Sequence, residues 1–485
     1  MNQTPDSIAK KHPVIIQGGM GVGVSSWRLA RAVSQAGHLG VVSGTALAIV
    51  LCRRLQDGDA GGHLRRAMAK FPIRRIADET IDRYFRSEGR PPNTAYRRLP
   101  MYRVDSPRHL VEMTLIANFV EVALAKEGHN GLVGINYLEK LQLPNLASLY
   151  GAMLAGADYV LMGAGIPREI PGILDRLAHH SPVEMTLHVA GSPPDITHRL
   201  TFDPREYWGG KAPEPLKRPD FLAIISAASL ATMMLRKATG KVDGFVIEGH
   251  CAGGHNAPPR GALRLNDRGE PLYGVKDGVD FAELRTLGVP FWLAGGFAHP
   301  DKLKEALAQG AQGIQVGSVF ALCKESGLTG SLKSRVLELI LADLLDVFTD
   351  PLASPTGFPF KVVKLSGTQS EVDIYRQRRK VCDLGYLRQL YLRPDGSIGY
   401  RCPGEPVADY IAKGGKPEDT AGRKCLCNAL AANVGIPQLQ TDGEIEKPLL
   451  TLGDNVGQLK DLLVLKGASY SAHDVIRYLM DGKEL

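Results

Sequence analysis

The sequence predicts a closed parallel α/β barrel, a TIM-type (β/α)8 architecture with a helical insert after strand 2 and a C-terminal extension. Three observations carry this reading. Eight short apolar runs alternate with helical stretches. The runs are near-continuously apolar, as suits parallel strands covered on both faces. Several of the loops that follow them are rich in glycine. The 485 residues, 44% hydrophobic and 22% charged, suffice for one such barrel plus additions.

Val14-Ile15-Ile16-Gln17 reads as the first strand, closed by Gly18-Gly19. Residues 25–36 read as a helix stopped by Gly37, and 39–43 as strand two. An Arg-rich helical insert fills about 46–130. Strand three is 132–136, a helix covers 145–155, and strand four is 159–162. A second excursion, a hairpin or extended loop, begins at 184–189 and ends near Pro219. Residues 221–226, 245–248, 291–294 and 313–316 supply strands five to eight, with a helix over 227–238. The apolar stretch 332–348 carries Lys333, Arg335, Glu338, Asp343 and Asp346 at helical spacing and reads as one amphipathic helix. The barrel unit is therefore placed at 1–360, and the turn-rich remainder, 361–485, is the extension. A doubly wound dinucleotide fold is the rival. The turn Gly18-Gly19-Met20-Gly21-Val22-Gly23 does not fit G-x-G-x-x-G, and the second strand ends Val42-Ser43-Gly44 without an acidic residue.

Net charge is +7, and residues 53–108 hold fourteen Lys/Arg against seven Asp/Glu. Such a stretch is a solvated helical face or a surface for an anionic partner. No zinc-finger spacing or RNA-binding aromatic signature accompanies it, which excludes nucleic acid. No run of 18 apolar residues predicts a membrane span. The polar start MNQTPDSIAKKHP has no secretory core, and seven cysteines is an odd count, so reduced thiols and a cytoplasmic location are expected.

In a barrel, chemistry belongs to the loops after the strands' C-terminal ends. Gly295-Gly296 and Gly317-Ser318 follow adjacent strands, 21 residues apart (317 − 296). Glycines there let main-chain N–H groups approach a phosphate, and Ser318 adds a hydroxyl. The loop after strand six reads Glu248-Gly249-His250-Cys251-Ala252-Gly253-Gly254-His255.

That loop resembles the FMN-dependent nitronate monooxygenases, whose hallmark is an acidic or small residue followed by Ala/Ser-Gly-Gly-His after a strand. Val14-Ile15-Ile16-Gln17-Gly18-Gly19-Met20 is similar to the family's first strand, and residues 290–318 to its phosphate-binding end; the resemblance covers about 12–325. It implies bound FMN and oxidation of nitronates or nitroalkanes with His255 as base. Gln17, Gly18, Gly19, Met20, Asn136, Glu248, Gly253 and Gly254 would surround the flavin, with Gly295, Gly296, Gly317 and Ser318 on its phosphate. Three residues depart from the pattern: Glu248 where glutamine is usual, Cys251 for an acidic residue or serine, and Gly18-Gly19 where a small residue and proline are common. The long insert and the extension look more like a second branch of the superfamily. These are trans-acting enoyl reductases that use NAD(P)H on carrier-bound thioesters, with an acidic acyl carrier protein as partner. A homo-oligomer fits either branch. A non-catalytic scaffold with a vestigial barrel is a third reading.

Two histidines compete with His255. His250 lies five residues away and reads as structural or solvent-facing. Asp59-Ala60-Gly61-Gly62-His63 matches the hallmark but sits between helices, with no strand to deliver it to a barrel rim. Cys382, Cys402, Cys425 and Cys427 crowd into 46 residues. They read as a four-thiolate zinc site, an iron–sulfur cluster, or separate buried thiols. Arg423 and Lys424 would lower the pKa of Cys425 and Cys427, opening a redox role.

Overall fold

A computed structural model describes residues 12–210, 213–440 and 442–481. The polar start at 1–11 lies outside these. Eight parallel strands form the central sheet: β1 (Ile15–Gln17), β2 (Gly40–Ser43), β3 (Val133–Leu138), β4 (Tyr159–Gly163), β5 (Asp220–Ile225), β6 (Gly244–Glu248), β7 (Phe291–Ala294) and β8 (Gly313–Val316). Their order is β1-β8-β7-β6-β5-β4-β3-β2. The ring closes where Gln17 N donates to Leu39 O (3.0 Å) and Leu39 N to Ile15 O (3.1 Å). Each predicted strand is present within two residues of its expected bounds.

Inside the barrel, Ile16, Val41, Leu161, Leu222, Val246 and Trp292 pack as a separate apolar cluster. These strands carry a second, outward set of apolar residues that meets the helices in the larger core. Both faces are buried, which is why the runs show no alternation. Trp292 fills the barrel's lower end, its indole N–H donating to Pro13 O (2.7 Å).

The insert holds helices Leu47–Gln56, His63–Met68, Arg74–Tyr84 and Arg108–Ala125. The last belongs to the barrel's outer layer, packing along helix Gln142–Leu154. A Cβ on Gly151 would stand 2.2 Å from Leu115 O, so glycine sets how closely these helices approach. Many of the insert's cations are spent locally: Arg74 on Asp78, Arg75 on Glu79 and Glu112, Arg66 and Lys70 on Glu127, Arg103 on Asp105.

Helix Ile170–Ala178 follows β4, and the second excursion is an antiparallel hairpin, Val183–Leu187 with His198–Phe202. Residues 332–348 depart from expectation. The helix runs Gly330–Leu341, Asp343 takes a left-handed φ of 56°, and Val347–Asp350 pairs antiparallel with Phe360–Val363. Helical charge spacing continued past the point where β-branched and aromatic residues found a strand partner. The chain beyond 363 folds back onto the barrel. Gln389–Leu392 pairs with Val189–Ala190, and helix Ala472–Asp481 packs on helices Trp27–Gln35 and Pro300–Ala308. Among the described residues no helix is long and apolar enough to cross a membrane.

Glycines fix the barrel's tightest crossings. A Cβ on Gly313 would lie 1.8 Å from Val14 O, a backbone atom that cannot yield, whereas one on Gly37 (φ 84°) meets nothing within 4 Å. Gly313→Ala should therefore cost about 3 kcal/mol by overpacking, and Gly37→Ala only about 1–2 kcal/mol from its left-handed backbone. Urea unfolding midpoints at constant slope measure both.

Candidate active site

A cavity of about 440 Å³ opens at the C-terminal ends of the strands. Gly18, Gly19, Met20, Asn136, Glu248, Gly253, Gly254, His255, Gly295, Gly296, Gly317 and Ser318 all line it. The structure thus gathers twelve of the thirteen predicted residues from the ends of five strands.

Gln17 is the exception, and its reading as a ring contact is corrected. It is fully buried at the end of β1. Its Nε2 donates to Ser25 Oγ (2.9 Å), and its Oε1 accepts from Val41 N (3.1 Å). Ser25 Oγ in turn accepts from Met20 N (2.9 Å) and donates to Gly18 O (2.8 Å). Gln17 is a strut that shapes the first loop from below.

The glycines divide by what they admit. Gly19 makes room for Asn136, whose Cβ would lie 2.4 Å from an added methyl. Gly295 and Gly296 take left-handed φ values of 86° and 82°, which ordinary side chains avoid. Gly253 and Gly296 admit other protein: a Cβ would meet the Leu452–Gly453 main chain at 2.9–3.0 Å in the first case and Asn455 Nδ2 at 2.4 Å in the second. Gly254 (φ 83°) has open space in front of it.

The intruding chain is the main feature that sequence reasoning missed. Residues 450–459, together with Phe358 and Phe360, form one wall of the cavity. Gly254 N donates to Thr451 Oγ1 (2.7 Å), Gly453 N to Ser318 Oγ (2.8 Å) and Asp454 N to Cys251 O (3.1 Å). Ser318 accepts here and keeps its own proton to donate. The one signal in the sequence was Gly453 interrupting the apolar run 449–452, since a lone glycine often marks close backbone approach.

His255 sits at the rim. Its Nε2 is 2.6 Å from Ser354 Oγ and its ring meets Phe360 edge-on at 4.9 Å. Desolvation, with a smaller push from Lys140, lowers its pKa to about 4. Glu248 shows the opposite shift: desolvation raises its carboxyl to about 7. Gln315, on β8, lines the same space, and its Oε1 is buried with no partner among the described residues. An orphaned acceptor, an open left-handed glycine and a tandem left-handed pair are what a polar ligand with a phosphate tail would use. The residues present fit FMN.

His250 stacks on Tyr273 (4.4 Å, 14°), a structural contact. His63 lies in the insert beside Trp27, while Asp59 accepts from Leu64 N and Arg65 N, so the matching pentapeptide serves to start a helix. The zinc and iron–sulfur readings of the cysteines are corrected, leaving the reading as separate thiols. Among the described residues no group of three or more His, Cys, Asp or Glu could hold a metal ion. Cys382, Cys402, Cys425 and Cys427 are free thiols. Burial raises the pKa of Cys425 and Cys427, and at Cys425 it outweighs the nearby Arg378.

Residues 211–350 match the family model described as nitronate monooxygenase. A probable nitronate monooxygenase of Bacillus subtilis is 36% identical over 132 residues, 27% of this chain and 36% of that protein. A Rhodococcus jostii protein named (3aS,4S,5R,7aS)-5-hydroxy-7a-methyl-1-oxo-octahydro-1H-indene-4-carboxyl-CoA dehydrogenase is 30% identical over 122 residues, 25% of this chain and 30% of that one. The chain thus spans about a third of the length of these curated relatives. The structure of FabK from Thermotoga maritima aligns with 16% identity and a TM-score of 0.46 over 97% of this chain and 92% of that one. The family resemblance read from the sequence is the one these matches return.

His255 and Glu248 pull stability in opposite directions with pH. Lowering a histidine's folded pKa means the unfolded chain binds the extra proton, so stability is complete above about pH 6.5 and falls toward pH 4. Raising a carboxyl's pKa makes its contribution complete below about 4.5 and lost as pH rises through about 7. In the flavin-free protein, His255→Gln should flatten the acid limb of a melting-temperature profile. Glu248→Gln should raise melting temperature above pH 7 and leave it unchanged near pH 4.

Proposed function

We propose that this chain is an FMN-dependent oxidoreductase of the nitronate monooxygenase type, acting on small nitronates. Support comes from the family match over 211–350 and from a cavity whose orphaned acceptor and glycine loops suit FMN. Gly295, Gly296, Gly317 and Ser318 would hold the phosphate through main-chain N–H groups and one hydroxyl. Gly18, Gly19, Met20 and Asn136 would bound the ring. Glu248, mostly protonated just below neutral pH, would donate as a glutamine does. When bound, the flavin supplies a two-electron acceptor.

The observation that carries the choice of substrate is the state of His255. A base whose conjugate acid has a pKa of about 4 is poorly matched to removing a carbon-bound proton near neutral pH. A nitronate arrives already deprotonated and makes no such demand. His255, neutral and fixed by Ser354, then serves to orient the substrate by hydrogen bonding.

A second reading is reduction of a thioester with NAD(P)H. The cavity's far wall favours it: Leu230, Met233, Met234 and Ile166 offer more apolar surface than a small nitronate covers, and Ile166 is 48% exposed at the mouth. The Rhodococcus relative also carries a CoA thioester in its name.

Anaerobic mixing of the flavin-loaded protein separates the two. Bleaching by a nitronate but not by NADPH, with oxygen consumed on re-aeration, is expected; rapid bleaching by NADPH would establish the reductase instead. His255→Asn should lower kcat/KM for a nitronate about 10–100-fold, the worth of one or two hydrogen bonds in a desolvated site. No break assignable to His255 should appear in the profile between pH 5 and 8.

A further inference from the structure

We infer that Asn256 is a further cofactor-binding residue, its side-chain oxygen accepting a hydrogen bond from the ring or ribityl part of the flavin; this rests on the FMN reading above. Asn256 lines the cavity yet is only 1% exposed. Its main-chain N donates to Pro359 O (2.9 Å), which ties it to the wall carrying Phe358 and Phe360. Its side-chain Nδ2 donates to Ala252 O (2.9 Å). That bond fixes the amide's orientation, because a flipped amide would set oxygen against oxygen. Oδ1 is therefore committed as an acceptor, and it has no partner among the described residues.

A buried acceptor left unmet has lost its water with nothing in exchange, which is unfavourable. The group that satisfies it must bring an N–H or O–H into the cavity. A phosphate dianion brings none, so Asn256 faces the part of the ligand that carries donors. On a flavin these are the imide N–H of the ring and the ribityl hydroxyls. Asn256 stands two residues beyond Gly254, the glycine with open space before it, so one loop would serve close main-chain approach and side-chain recognition together.

The test is flavin affinity, read by fluorescence quenching on titration of the flavin-free protein. Asn256→Leu, near in shape, removes the acceptor and the donor. Asn256→Asp keeps an acceptor and loses the donor to Ala252. The leucine variant should bind FMN and riboflavin about 5–20-fold more weakly, and the aspartate variant should stay within about 3-fold of the parent. Equal weakening in both variants would show that Asn256 only anchors its loop and would overturn the inference, as would a leucine variant within 2-fold of the parent. Flavin analogues test the parent itself, should the leucine variant fail to fold. N3-methylriboflavin lacks the ring donor and lumiflavin lacks the ribityl chain. Weaker binding of the first assigns Oδ1 to the ring and weaker binding of the second to the ribityl chain; neither binding more weakly than riboflavin overturns the inference. A parent protein that takes up no flavin fails the FMN reading itself, before any variant is made.

Discussion

The three hydrogen bonds that carry residues 451–454 across the barrel mouth decide what shape of cavity the strands can present. They join Thr451 to Gly254, Gly453 to Ser318 and Asp454 to Cys251. An eight-stranded barrel has side chains packed to its interior and no room for a ligand within. A pocket arises only where loops and additions build walls above the strand ends. Here part of that wall comes from chain about 200 residues beyond the β6 loop. Its close approach requires Gly253 and Gly296 to lack side chains, so two glycines of the family-like motifs hold the protein's own backbone in place.

Electrostatics reinforce the same junction. Lys361, 1% exposed, reaches Asp454 and donates to Thr349 Oγ1 (2.6 Å). The ammonium has lost its water while Asp454 keeps part of its own, so removing Asp454 would leave a buried cation without its counter-charge. The pair therefore pins strand Phe360–Val363 to the segment crossing the mouth. Within the cavity Glu248, Cys251 and His255, from β6 and its loop, are all shifted toward their neutral forms. Desolvation thus delivers hydrogen-bonding groups without fixed charge, and a substrate anion would meet no carboxylate repulsion from Glu248 while it stays protonated.

The barrel was legible because each of its strands is buried on both faces and leaves an unbroken apolar run between glycines. The site loops were legible for a related reason: Gly295-Gly296 and Gly317-Ser318 stand at equivalent ends of neighbouring strands, so spacing alone placed them together. What failed to show was whatever depends on distant partners. Gln17 looked like a ring contact because it ends β1, yet its amide finds Ser25 and Val41 before it could reach a ligand. Helical charge spacing ran on to Asp343 and Asp346, yet the helix stops at Leu341 and residues 347–350 pair with 360–363. The clustered cysteines are close in sequence, but among the described residues they form no group that could hold a metal, and burial raises the thiol pKa of Cys425 and Cys427. Nothing local marked Thr451, whose contact with Gly254 exists only once the extension has closed over the mouth.

That closure also bears on which substrates can enter. Leu230, Met233 and Met234 follow β5, and Ile166 follows β4, so the apolar wall lies across the cavity from the strands that carry the phosphate-type loops. A ligand tail held at Gly295–Ser318 would leave this wall free for substrate. Methionines there can adapt to varied apolar shapes, whereas the wall built by 450–459 is fixed by hydrogen bonds and the buried Lys361. One side of the cavity is therefore held fixed and the other is compliant and apolar. On the FMN reading, the cofactor's phosphate would fall to β7 and β8, its ring to β1, β3 and β6, and substrate range to the loops after β4 and β5.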